Sequence, residues 1–132
     1  MKIKSYNIES NIWRVDGDII NSGGTLCLHL VGNLNHFIGA TLGETGYVRN
    51  RTAEFNDRDV PREILIGKVE ETIKMVKVVL LSLTEEALAQ EYPRVVLDKR
   101  FSTFDFIMHL YGHLNYHLGQ VNYHRRLLDD SK

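Results

Sequence analysis

Only two prolines, Pro61 and Pro93, fall in 132 residues, and both can sit outside helix interiors. Long stretches therefore lack the one residue that cannot continue a helix, and the chain reads as α-rich. Ser102 and Asp105 resemble a capping box, which predicts a last helix over about 103–128. Asp59 can cap an earlier helix, and Pro61 suits its first turn. That helix runs to about Leu83, roughly 34 Å at 1.5 Å per residue. The break NSGG, residues 21–24, precedes a third helix. Thr25 is its expected cap and Gly43 its stop. Leu26, Leu30, Leu34, Phe37 and Ile38 keep helical spacing along it.

The connecting pieces are shorter. GETGYVRNRTAEFNDRD, residues 43–59, reads as a polar loop. Thr84 can cap a short turn, and EYPRVVLDKRF, residues 91–101, looks like a small extended ribbon. Residues 1–23 fit a short helix or an extended arm. The sum predicts an all-α domain over 1–132, an up-and-down four-helix bundle with a short first element. Either that bundle is asymmetric or a second subunit covers the gap. Exposed bundle faces are a common reason to dimerise.

Net charge is -1, which gives no broad pull toward nucleic acid or an anionic membrane. No apolar run reaches the roughly 18 residues of a membrane span. MKIKSYNIES lacks the apolar core of a signal peptide. The lone cysteine, Cys27, excludes an internal disulfide and suits a reducing cytoplasm.

HLYGHLNYHLGQVNYH, residues 109–124, holds four of the six histidines. At about 100° per residue, His109, His117 and His124 fall near -40°, +40° and +20° from His113, and Gln120 near -20°. His29 and His36 lie about 20° apart on their own helix, with Asn33 between them. Burying neutral imidazoles without partners forfeits their hydrogen bonds to water. A shared divalent cation is an economical partner. His113 and His117 are one turn apart, as are His109 and His113, close enough to bind one ion. His29 or His36 could add a third ligand and leave coordination positions open. No Glu-x-x-His occurs on either helix, which disfavours a carboxylate-rich di-iron bundle.

Competing readings exist for each residue. A lone helical histidine is more often structural. His124, beside Arg125 and Arg126, reads as a helix-end residue that caps carbonyls or meets solvent. Asn33 and Gln120 can orient a ligand or a bound water, or simply join helices. Gly119 reads as a close-approach position. Arg49 and Arg51 can hold an anionic substrate or pair with Glu54 and Asp57. Tyr111, Tyr116 and Tyr123 read as packing residues, and Met75, Val76, Val79, Leu80 and Leu83 as core. Cys27 lies about 160° from His29 and points away. For the whole chain the rivals are a haem-binding bundle with axial histidines, a phosphotransfer module, and a non-catalytic stress-related bundle without metal.

HLNYHLGQ, residues 113–120, resembles the last-helix signature of the DinB-like family, the damage-inducible four-helix proteins that include the YfiT-type enzymes. The matching positions are His113, His117, Gly119 and Gln120. LHLVGNLNHFIG, residues 28–39, and RNRTAEF, residues 49–55, resemble the second helix and following loop of one branch. The resemblance implies a divalent metal ion, zinc, nickel or similar, held by His29, His113 and His117. It puts His36 and His109 in the pocket or outer shell. It implies a thiol S-transferase using a low-molecular-weight thiol cosubstrate, or a hydrolase, acting on a small molecule, and often a homodimer. The family has a full first helix ahead of a tryptophan like Trp13, so the first helix here is expected to be short or incomplete. An ion held by neutral imidazoles keeps its full charge and acidifies bound water or thiol. Hydroxide attack gives hydrolysis, and thiolate attack gives S-transfer.

Overall fold

The computed structural model describes residues 1–129, and they are largely helical. Two 3-10 turns, Lys2–Ser5 and Glu9–Trp13, lead into α1 (Gly23–Leu34). A π-helical segment, Asn35–Ala40, continues α1 into the short α2 (Thr41–Gly43). Then come α3 (Arg51–Asn56), α4 (Arg62–Ser82), α5 (Glu85–Ala89) and α6 (Thr103–Leu128). Extended pairing is limited to isolated bridges among the described residues. Among the described residues, no helix is long and apolar enough to cross a membrane.

Several boundaries differ from the sequence expectation, each for a local reason. Ser22, not Thr25, caps α1: its hydroxyl accepts the Thr25 N–H at 3.1 Å. NSGG is thus a helix start rather than a break. Gly23 and Gly24 lie in the first turn of α1, where a Cβ on Gly24 would stand 2.7 Å from the Trp13 ring. Asp59 takes a left-handed φ of 57° and does not cap α4. Pro61 occupies the cap position with no side-chain bond. The polar loop contains α3, whose N–H at Ala53 is accepted by Asn50 at 3.0 Å. Thr84 and Ser102 cap α5 and α6 as expected, each accepting at 3.0 Å. The ribbon closes on Leu97 and Asp98, both at positive φ, between Val96 and Lys99.

The core falls into two apolar clusters. One gathers Ile3, Tyr6, Ile12, Leu26, Cys27, Leu28, Leu65 and Val121. The other gathers Ile38, Val79, Tyr92, Phe106 and Leu110, with Met75, Val76 and Leu80 against it. Cys27 is packed in the first cluster, and burial pushes its thiol up to about 12. On α1, His29 and Asn33 lie in sequence between the two clusters; on α6, His113 and His117 do the same. Tyr111, Tyr116 and Tyr123 are exposed by 61%, 65% and 58%, so they are not packing residues. Gly119 faces open space and does not mediate a close approach.

Candidate metal centre

α1 presents His29 and α6 presents His113 and His117 to a common point, because α1 and α6 pack together. One ring nitrogen from each lies within 4.8 Å of the others. The rings meet nearly edge-on. His29 and His117 have centroids 5.0 Å apart at 85°, and His113 and His117 4.5 Å apart at 83°. Nε2 of His29 stands 3.2 Å from Nε2 of His113. Two such nitrogens satisfy each other only if one carries a proton.

Each outer nitrogen has its own environment. Nδ1 of His117 meets Oε1 of Gln120 at 2.6 Å, and only a nitrogen that carries hydrogen can donate to that oxygen. In a neutral ring so oriented, the lone pair is on Nε2. Nδ1 of His29 faces Oε1 of Glu54 at 3.2 Å. Nδ1 of His113 is buried without a hydrogen-bond partner among the described residues. His29 is buried, and that desolvation, above all, lowers its basicity. Burial first, then the neighbouring His117 and His29, push His113 down to about 4. At neutral pH both rings are therefore neutral, the form that coordinates metals.

The donor set fits a divalent cation. It offers three imidazoles from two helices, the ligand type and number of three-histidine catalytic zinc sites. Two of the three rings also have a second hydrogen-bonding group in contact with the outward nitrogen, as metal-ligating histidines usually do.

His36 sits in the π segment against Phe37, at 4.7 Å between ring centroids. His109 is exposed and stacks near Phe101 and Phe106. Asn33 is buried, and its Oδ1 has no hydrogen-bond partner among the described residues. Arg49 gives Nε and Nη2 to Glu54 at 2.8 and 2.9 Å. Arg51 is exposed, with its guanidinium 5.8 Å above the Phe55 ring centroid. His124 is not at solvent. It is buried, its Nδ1 lies 2.7 Å from the Tyr6 hydroxyl, and its Nε2 lies 2.8 Å from the Arg14 carbonyl. Sequence reasoning saw Glu54 only as a partner for arginine. Its contact with His29 spans 25 positions and left no local signal.

Comparison with curated proteins and with solved structures gives no match. One protein family matches residues 5–132. On that match over nearly the whole chain, the protein belongs to the family described as "Protein of unknown function (DUF1572)".

Proposed function

We propose that the protein is a divalent-metal-dependent enzyme of the DinB-like type, with His29, His113 and His117 as its ligands. The observation that carries this reading is the gathering of three ring nitrogens within 4.8 Å from two helices. The motifs that resemble those of DinB-like proteins include the same three residues. A divalent ion held there supplies Lewis acidity that brings a coordinated water or thiol toward ionisation at neutral pH. The chain's own groups do the rest. Gln120 fixes the His117 ring by accepting its Nδ1–H. Burial keeps His29 and His113 unprotonated and ready to bind. The substrate is a small molecule, attacked by a low-molecular-weight thiol or by water. Arg51 carries the assignment to an anionic substrate group, since Glu54 engages Arg49. His36 and His109 belong to the surrounding pocket. An up-and-down bundle in a cytoplasmic homodimer completes the reading.

The test is metal analysis of freshly purified protein beside His29→Ala, His113→Ala and His117→Ala. Near-stoichiometric zinc or nickel in the parent and its loss in each variant is the expected result. Metal retained in all three variants overturns the proposal. A Soret band in the purified protein would favour the haem alternative instead.

A further inference from the structure

A carboxylate stands behind the metal centre in a place prepared for it. Glu54 is 6% exposed and lies on α3, a six-residue helix started by the Asn50 cap. Its side chain reaches α1 at Gly32, three residues beyond His29. A Cβ at position 32 would collide with the Glu54 carboxylate. Glycine at that position therefore makes the space that the carboxylate fills. Arg49 grips both carboxylate oxygens, with Nε to Oε2 at 2.8 Å and Nη2 to Oε1 at 2.9 Å. Such a two-point clamp fixes orientation as well as charge. Oε1 is also 3.2 Å from Nδ1 of His29.

The hydrogen-bonding roles follow from chemistry. An ionised carboxylate only accepts, so it matches Nδ1 of His29 when that nitrogen carries the proton. The guanidinium of Arg49 only donates, and it sits farther from the same nitrogen, at 3.4 Å. The nearer, charged acceptor decides the tautomer. With the proton on Nδ1, the lone pair of Nε2 points toward His113 and the triad. We propose that Glu54, clamped by Arg49 in the space left by Gly32, is a positioning residue that holds His29 as its Nδ1–H tautomer and aims its Nε2 lone pair at the metal. This assignment rests on the metal-site reading, and it adds the device that orients one of its ligands. The same carboxylate makes the ligand more electron-rich, which strengthens its bond to a cation.

The experiment has two readouts. The first is the nitrogen-15 spectrum of the His29 ring in metal-free protein. It requires no bound ion and so tests the tautomer independently of the enzyme proposal. The second is zinc affinity by competition with a chromogenic chelator. In the parent, His29 should be the Nδ1–H form. In Glu54→Ala, that form should lose its dominance, and zinc should bind about 10- to 100-fold more weakly. Glu54→Gln keeps an acceptor oxygen at the same reach, so it should recover part of the affinity. Glu54→Ala leaves the partly buried Arg49 guanidinium without its partner and could unfold the chain. The pair Arg49→Met with Glu54→Gln removes that charge and keeps the acceptor. It should retain the Nδ1–H tautomer, whereas Arg49→Met with Glu54→Leu should lose it. A His29 tautomer unchanged in the leucine pair, or zinc affinity within twofold of the parent in a folded Glu54→Ala, overturns the assignment. Failure of the parent itself to bind zinc sinks the metal-site reading and leaves the spectrum to judge the tautomer alone.

Discussion

The Tyr6 hydroxyl lies 2.7 Å from Nδ1 of His124, joining residues 118 positions apart. The other ring nitrogen, Nε2, faces the Arg14 carbonyl at 2.8 Å. A carbonyl only accepts, so Nε2 carries the proton and Nδ1 accepts from Tyr6. Both bonds are complete with the ring neutral. The pair fastens the two N-terminal 3-10 turns to the end of α6, where Asp129 also accepts from Asn7, Ile8 and Asn11.

Acid should loosen this fastening. Burial is the largest cause lowering the His124 pKa, and the Arg14 charge adds to it. The carbonyl bond and Asp129 oppose them without prevailing. The unfolded ring takes its proton near 6.5, before the folded ring does. The unfolded chain therefore binds more protons as pH falls through that value, and stability is lost below it. His29 and His113 act with the same sign. The melting temperature of ion-free protein should drop between about pH 7.5 and about pH 5. His124→Phe should melt lower at neutral pH but show a shallower slope. Parallel slopes would refute the role given to His124.

Gln120 should matter through His117 alone. It is exposed, so replacing it costs little folding stability, yet it accepts the His117 Nδ1–H at 2.6 Å. Gln120→Ala should weaken zinc binding by roughly 10-fold or more with an unchanged melting temperature. Gln120→Glu keeps the acceptor and should bind zinc at least as well as the parent. Equal affinities in parent and alanine variant would remove Gln120 from the site.

Position 24 tests the N-terminal packing. A methyl there would sit 2.7 Å from the Trp13 ring, and the ring must shift to admit it. Gly24→Ala should destabilise by about 1–3 kcal/mol, read by urea denaturation. Trp13 is the sole tryptophan, so its emission should move to the red in the same variant. Unaltered emission would show that the ring does not depend on glycine there.

Leu97 offers a gain rather than a loss. Its φ of 54° puts a branched side chain in the left-handed region. That conformation costs a non-glycine residue roughly 1–2 kcal/mol. Leu97→Gly should therefore raise stability by about 1 kcal/mol, visible as a higher urea midpoint at constant slope. A lower midpoint would mean that Leu97 contributes contacts worth more than its strain.

The proposed homodimer has a surface to test. Phe104, Met108, Tyr111 and Leu118 fall within an arc of about 80° on α6, roughly opposite His113. They are 52%, 50%, 61% and 42% exposed. Met108→Glu together with Tyr111→Lys should convert a dimer to monomer in sedimentation velocity. A dimer that survives both charges must use another face.

Local chemistry made much of this molecule readable from its sequence. Thr84 and Ser102 announce α5 and α6 because a cap acts on a neighbour three residues on. His113 and His117 share a face because four residues make about one helical turn. His36 shares the direction of His29 but stands seven residues along, about 10 Å at 1.5 Å per residue, too far to join the same ion. What escaped the sequence depends on distant contacts. α3 forms within a charged loop because Glu54 is drawn into α1. His124 is buried because Tyr6 and Arg14 come from the other end of the chain. The π segment carries no pattern that distinguishes it from α-helix.

The placement of the imidazoles between the two apolar clusters has a consequence for how the molecule comes apart. The buried apolar clusters divide there, and a polar seam lies where α1 and α6 pass from one to the other. Each half can breathe on its own when that seam is weak, and amide exchange should then separate into two populations. A bound cation would rivet α1 to α6 at mid-height and merge the two populations into one.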